Sequence, residues 1–277
     1  MSASSAEAGL TLLPLPAPSP WAGGDVLAHD DVREDLLDIV RAHGSVYDWA
    51  ERMPQPRALR GRAPVFVATL PRSGQSVVVR HAWHGGLLAP ITGDRFRRPT
   101  RAPREMQIAA ALLQHGIPTA DIRGAVRYAA GAGFVRVDVV SRYLEDSVDL
   151  GTVLADLAPT IPMTQALEAT SVLLQQLTQR GIVHPDLNVK NILLRPLPGS
   201  GSPARALQAL VIDVDVLVWD AAWVGAPAMQ RNLARLLRSM RKWRRQFGCN
   251  VSDATLDVFA SDTWTSAALP AGAFRRA

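Results

Sequence analysis

Apolar residues recur along this chain with two different periods, and the changes between them mark out the elements. Pro64 to Leu70 and Ser76 to Arg80 are short and valine-rich, and they flank Pro71-Arg72-Ser73-Gly74-Gln75. That composition predicts a β-hairpin. Gly133 to Tyr143, with Val135, Val137, Val139 and Val140, predicts a further strand. Elsewhere the spacing is helical. Val32, Leu36, Ile39 and Val40 place a helix within Val26 to His43. Pro103-Arg104-Glu105-Met106 opens a second, which runs to His115 and is ended by Gly116 and Pro118. Thr164 to Arg180 carries a Leu167, Leu174, Leu177 stripe, with Thr164 as the expected N-cap. Ala228 to Phe247 carries Met229, Leu233, Leu236, Met240, Trp243 and Phe247 on one stripe. Strands with one helix, then mostly helices, predict an α+β molecule of two lobes. The expected N-terminal lobe is 25–144, an antiparallel sheet with one helix. A mainly helical C-terminal lobe, 145–277, follows a hinge at Leu144-Glu145-Asp146.

Composition narrows the class. The chain has 277 residues, 48% hydrophobic and 20% charged, enough for a sizeable core. A single cysteine, Cys249, excludes an internal disulfide framework and a cysteine-rich zinc site, and suits a reducing compartment. No apolar run is long enough for a membrane-spanning helix. Prolines at 14, 16, 18 and 20 make residues 1–24 read as a disordered leader rather than a signal peptide. The net charge is +5 and the pI about 10.1, yet only Lys190 and Lys242 are lysines.

The chemistry concentrates in one segment. His184-Pro185-Asp186-Leu187-Asn188-Val189-Lys190-Asn191 is followed by the apolar run Ile192-Leu193-Leu194. A Gly/Ser/Pro turn (Pro198 to Pro203) comes next, then the run Ala209-Leu210-Val211-Ile212 and the acids Asp213 and Asp215. An Asp with an Asn five residues on, and a second Asp after two strands, are the parts a protein-kinase-like fold uses for phosphoryl transfer. Asp186 is the expected acceptor of the hydroxyl proton. Asn191 and Asp213 are the expected ligands of Mg²⁺ and so part of the ATP site. No lysine precedes Lys190, so any phosphate-binding cation of the N-terminal half must be an arginine. Arg80 on the hairpin, with Glu105 on the following helix, has the layout of the kinase ion pair. G-x-x-x-x-G-K-[ST] and G-x-G-x-x-G are both absent, and Gly61 is a candidate for a loop over the nucleotide.

Two arginine clusters stand out. Arg95, Arg97, Arg98, Arg101 and Arg104 form the first; Arg231, Arg235, Arg238, Arg241, Arg244 and Arg245, with Lys242, form the second, with no acid between Ala221 and Asn250. The helix stripe packs. The basic face suits an anionic membrane surface or a phosphorylated acceptor. No aromatic platform or reading motif accompanies the charge, so nucleic acid is not an expected partner. His81 and His84, on either side of Trp83, are candidates for a substrate contact or for a plain structural role, and lack a third ligand for a metal.

Together these residues resemble the lipopolysaccharide kinase family, and within it the 3-deoxy-D-manno-octulosonic acid (Kdo) kinases. The similar stretches are Val79-Arg80-His81 with Gly85-Gly86-Leu87, Gly93-Asp94-Arg95-Phe96, Arg101 with Arg104-Glu105, and Gly116-Ile117-Pro118. The His184 to Leu193 segment, Ile212-Asp213 with Asp215, and the arginine-rich helix from Arg231 complete the likeness, which covers roughly Arg60 to Arg245. The resemblance implies transfer of the γ-phosphate of ATP to the 4-hydroxyl of Kdo on a lipid A precursor, at the cytoplasmic face of an inner membrane. Val214 stands where the family usually has Phe, and Val216 and Leu217 where Arg is common. The same motifs would also serve a heptose or other small-molecule kinase, or a membrane-associated pseudokinase.

Overall fold

The computed structural model describes residues 12–54, 56–59, 64–83, 93–197, 206–249 and 251–268. Its strands are β1 (Ser19–Trp21), β2 (Gly24–Ala28), β3 (Arg57–Leu59), β4 (Val65–Thr69), β5 (Ser76–His81), β6 (Phe96–Arg97), β7 (Ile122–Ala129) and β8 (Phe134–Arg142). Shorter strands follow: β9 (Val148–Asp149), β10 (Ile182–Val183), β11 (Ile192–Pro196), β12 (Leu207–Val211) and β13 (Val218–Trp219). The helices, in order, are α1 (Asp30–His43), α2 (Val46–Glu51), α3 (Ala102–Gln114), α4 (Leu150–Leu154), α5 (Met163–Gln179), α6 (Ala226–Phe247) and α7 (Asp253–Ser266).

The chain divides into two compact units. One comprises Leu12–Ala110 and Ala120–Tyr143. It is an antiparallel sheet in the order β1-β2-β7-β8-β5-β4-β3, with β6 paired to β8. The expected hairpin is β4–β5, with Val65 opposite Arg80 and Thr69 opposite Ser76. Its turn is held by a buried acid: Asp35 of α1 accepts from Arg72 N at 2.6 Å and Ser73 N at 3.1 Å. Besides the first part of α3, this unit carries α1 and α2 on its sheet. Their Val32, Leu36, Ile39, Val40 and Val46 bury against Phe66, Val77, Val79, Val126 and Val140. Full burial of such a side chain contributes about 1.5–3 kcal/mol.

The second unit comprises Ala111–Thr119 and Leu144 onward. Helices α5, α6 and α7 pack around the small sheet β12-β11-β9 and the β10–β13 pair. Leu150, Leu173, Leu174, Leu177, Ile182, Leu187 and Ile192 are its fully buried centre. The segment after α3 belongs here: Thr119 bridges to Val211, its hydroxyl donating to the Val211 carbonyl at 2.6 Å.

Three expectations are corrected. The helix expected from Val26 begins only at Asp30, because Gly24–Ala28 is spent as a strand between β1 and β7. The leader does not run to residue 24, since Ser19–Trp21 pairs with Gly24–Val26. Thr164 does not cap α5; the capping position is Pro162, with no side-chain cap. Gly61, His84, the Gly85-Gly86-Leu87 stretch and the Pro198 to Pro203 turn lie outside the described residues.

Candidate active site

The His184–Asn191 segment is a loop between β10 and β11, and its shape is set by backbone hydrogen bonds that side chains complete. Gly181 enters β10 at φ 65°, where a Cβ would meet the Asp220 carbonyl at 2.1 Å, so the chain needs glycine there. His184 is wholly buried. Its Nδ1 accepts from Asp186 N at 3.2 Å, and its Nε2 lies 3.1 Å from the Ile212 carbonyl. Nδ1 being an acceptor, the proton sits on Nε2 and the ring is neutral. Burial pushes the imidazole down, with the Ile212 carbonyl opposing it less strongly. His184 is thus a brace between the loop and the strand end, not a proton carrier.

Asp186 presents an exposed carboxylate on an anchored backbone. Its carbonyl accepts from Asn188 Nδ2 at 2.9 Å and Asn191 Nδ2 at 3.0 Å. The Asn191 carbonyl in turn accepts from Ile212 N at 3.0 Å. Both polar groups of Ile212 are therefore taken by the His184–Asn191 loop, which ties Asp186 and Asn191 to the strand that leads to Asp213. Asp213 itself sits in the left-handed region at φ 62°, ψ 48°, with an exposed side chain. Such a backbone is uncommon for a residue other than glycine, and here it turns the carboxylate out at the end of β12.

These donors suit Mg²⁺. Holding Asn191 by its amide nitrogen leaves its oxygen for a ligand, and Asp213 supplies a carboxylate; a small hard cation takes such oxygens and completes its shell with phosphates and water. Among the described residues no cluster of three or more His, Cys, Asp or Glu would form an all-protein metal cage.

Two residues of α6 matter here: Asn232, which its sequence position did not single out, and Arg235, which there was only one of a basic cluster. Asn232 of α6, fully buried, accepts from His184 N at 2.9 Å and donates to the Ile182 carbonyl at 2.8 Å. Arg235, one turn further on, donates from Nη2 to Asp186 Oδ1 at 2.7 Å. Lys190 is committed elsewhere. It pairs with Asp149 at 2.7 Å, the residue that caps α4, and lies over the Trp243 ring at 5.6 Å.

In the other unit, Arg80 and Glu105 do meet. Arg80 Nη2 lies 2.8 Å from both carboxylate oxygens of a largely buried Glu105, while the arginine side chain keeps 39% of its exposure. One nitrogen bridges both oxygens, which fixes the guanidinium's direction. His81 lies between two carboxylates. Its Nδ1 lies 2.6 Å from Asp138, which is fully buried, and its Nε2 lies 3.2 Å from Asp94. Asp138 also accepts from Tyr128 Oη at 2.6 Å and Tyr47 N at 2.9 Å. Burial alone would lower the imidazole; the two carboxylates outweigh it and hold His81 above its ordinary value of 6.5. The sign follows. The charged pair adds stability in full below the unfolded value, and that stability is lost as pH rises through the raised folded value. Urea unfolding from pH 6 to 9 should therefore show wild-type stability falling relative to His81→Gln; superimposable pH profiles would contradict this role.

The sequence matches the model of the lipopolysaccharide kinase (Kdo/WaaP) family over residues 59–259. The chain belongs to that family. All five residues expected at the site fall inside the matched span, as does α6. Curated relatives agree. A 3-deoxy-D-manno-octulosonic acid kinase of Mannheimia succiniciproducens is 28% identical over 54% of this chain and 63% of its own. One from Xanthomonas oryzae pv. oryzae is 29% identical over 76% of this chain and 79% of its own. The Mannheimia match thus spans somewhat less than two thirds of that relative's length. A solved structure of WaaP in complex with acyl carrier protein aligns with 87% of this chain and 98% of that one, at a TM-score of 0.42 and 15% identity.

Proposed function

We propose that this lipopolysaccharide kinase family member is an ATP-dependent phosphotransferase that phosphorylates the 4-hydroxyl of a Kdo residue on lipid A or the lipopolysaccharide inner core. The observation that carries the reading is the hydrogen-bonded chain from Asp186 through Asn191 to Ile212, which holds the acid, the amide and the strand-end Asp213 in one frame. Within it, Asp186 accepts the proton as the acceptor O–H bond breaks and its oxygen bonds to the γ-phosphorus; the bond to the leaving ADP breaks. Asn191 and Asp213 would hold Mg²⁺, which neutralises phosphate charge when bound. Arg80, aimed by Glu105, serves the phosphates in place of the usual lysine. Work of this kind is mostly positioning and charge neutralisation.

No helix of the described residues is long and apolar enough to cross a membrane. A peripheral position on the cytoplasmic face of the inner membrane, with arginines toward anionic lipid, fits a glycolipid acceptor. The reading is tested by incubating the protein with ATP labelled at the γ-phosphate and a panel of acceptors. Label should enter Kdo-lipid A and not lipid A lacking Kdo. Preferential labelling of a heptosylated acceptor lacking free Kdo would overturn the acceptor assignment, and no labelling of any acceptor would overturn the activity.

A further inference from the structure

Beside Asp186 the second unit has an open pocket of about 400 Å³, lined by His184, Pro185, Trp223 and three arginines of α6, Arg231, Arg235 and Arg238. The arginines fall at i, i+4 and i+7, one above another on the same helix face. Like charges at these spacings repel, and no acid on α6 offsets them. Each guanidinium is held differently. Arg231 stacks over the Trp223 ring at 4.7 Å and donates to the Pro227 carbonyl at 3.0 Å. Arg235 reaches Asp186. Arg238 is exposed and has no carboxylate partner among the described residues. Among the described residues, the carboxylate paired with this trio is Asp186, the residue proposed to meet the acceptor.

We infer that this pocket is the anion subsite for the acceptor, and that it takes the carboxylate of a sugar acid whose hydroxyl is presented to Asp186. The inference rests on the phosphotransfer reading above and adds the element that selects the acceptor. A group engaging Arg235 sits within one sugar ring of the base, because Arg235 and Asp186 touch. A carboxylate carried on the sugar ring meets that requirement; lipid phosphates, at least one sugar residue away, do not. Planar guanidinium forks match a carboxylate in two-pronged fashion. Trp223 and Pro185 supply an apolar flank for the ring's carbon face. When the carboxylate arrives, Arg235 has a second anion to bind, and Asp186 is released from it toward the hydroxyl.

The test compares Kdo methyl glycoside, which has a carboxylate and no phosphate, with its carboxyl-reduced counterpart. Wild-type protein, Arg231→Gln and Arg238→Gln are assayed for kcat/KM on both, and for binding of both by calorimetry. Removing a charge-assisted contact should cut the preference for the acid roughly 10- to 100-fold in each variant. Equal losses on the acid and the reduced sugar would overturn the subsite, as would a wild-type protein that does not bind the acid. If wild-type protein binds the acid through Arg231 and Arg238 but transfers no phosphate, the subsite stands and the proposed reaction falls. If it transfers phosphate with the preference untouched in both variants, the reverse holds. Competition by lipid A lacking Kdo, lost in the same variants, would reassign the pocket to phosphate.

Discussion

Replacing Asp186 by Asn should lower kcat for phosphotransfer by roughly 10²- to 10⁴-fold, the usual contribution of a positioned general base, while the protein stays folded. The geometry explains why the effect should be so selective. Asp186 holds the loop through its backbone: the amide donates to His184, and the carbonyl accepts from Asn188 and Asn191. Its side chain is 52% exposed and pairs with Arg235, itself 40% exposed. An asparagine keeps an oxygen for Arg235 but loses the negative charge, and with it the ion pair and the capacity to take a proton. Calorimetry should therefore show Mg·ATP binding close to wild type and thermal melts should superimpose. A variant as active as wild type would remove Asp186 from the mechanism; a variant that melts early would make it structural.

A second substitution should act through stability. Asn232→Leu nearly conserves volume but deletes both partners of a buried backbone pair, His184 N and the Ile182 carbonyl. Each buried group left unsatisfied costs about 1–3 kcal/mol, so the unfolding free energy should fall by about 2–6 kcal/mol. That is a large fraction of the ~5–15 kcal/mol typical of a domain. Activity should fall with it, because the same bonds fix the strand that leads into the catalytic loop. Urea unfolding followed by tryptophan fluorescence checks the first effect. A change under about 1 kcal/mol would mean that water or a shifted loop satisfies those groups instead.

What the sequence disclosed was mainly local. The β4–β5 hairpin showed itself because two valine-rich runs flank a Pro/Ser/Gly turn, and the His184–Asn191 loop because its polar residues lie within one short stretch before an apolar strand. Strand β7 did not, since Gly124 and two arginines interrupt its pattern and a bulge between Ile122 and Gly124 breaks its register. Strand β2 was absorbed into a helix because a few apolar residues fit either period; its pairing with β7, about a hundred positions away in the chain, decides between them. The partners of His81, Asp94 and Asp138, come from outside its own strand, so its structural role had no local signal. Asn232 and Arg235 are the same case: in sequence they belong to an arginine-rich amphipathic helix, and only folding brings them to His184 and Asp186. One signal was available. A small polar residue on the buried stripe of α6 has to satisfy something, and Asn232 stands beside Leu233.

Transfer of the γ-phosphate of ATP to a Kdo hydroxyl can be read from the product itself. Kdo-lipid A is incubated with the protein, Mg²⁺ and ATP, and the recovered glycolipid is examined by proton–phosphorus correlation NMR. A new phosphomonoester is expected, its phosphorus coupled to H-4 of Kdo. A new phosphorus signal coupled to another position of the glycolipid would exclude the 4-hydroxyl as acceptor, and a glycolipid recovered unchanged would exclude the transfer itself.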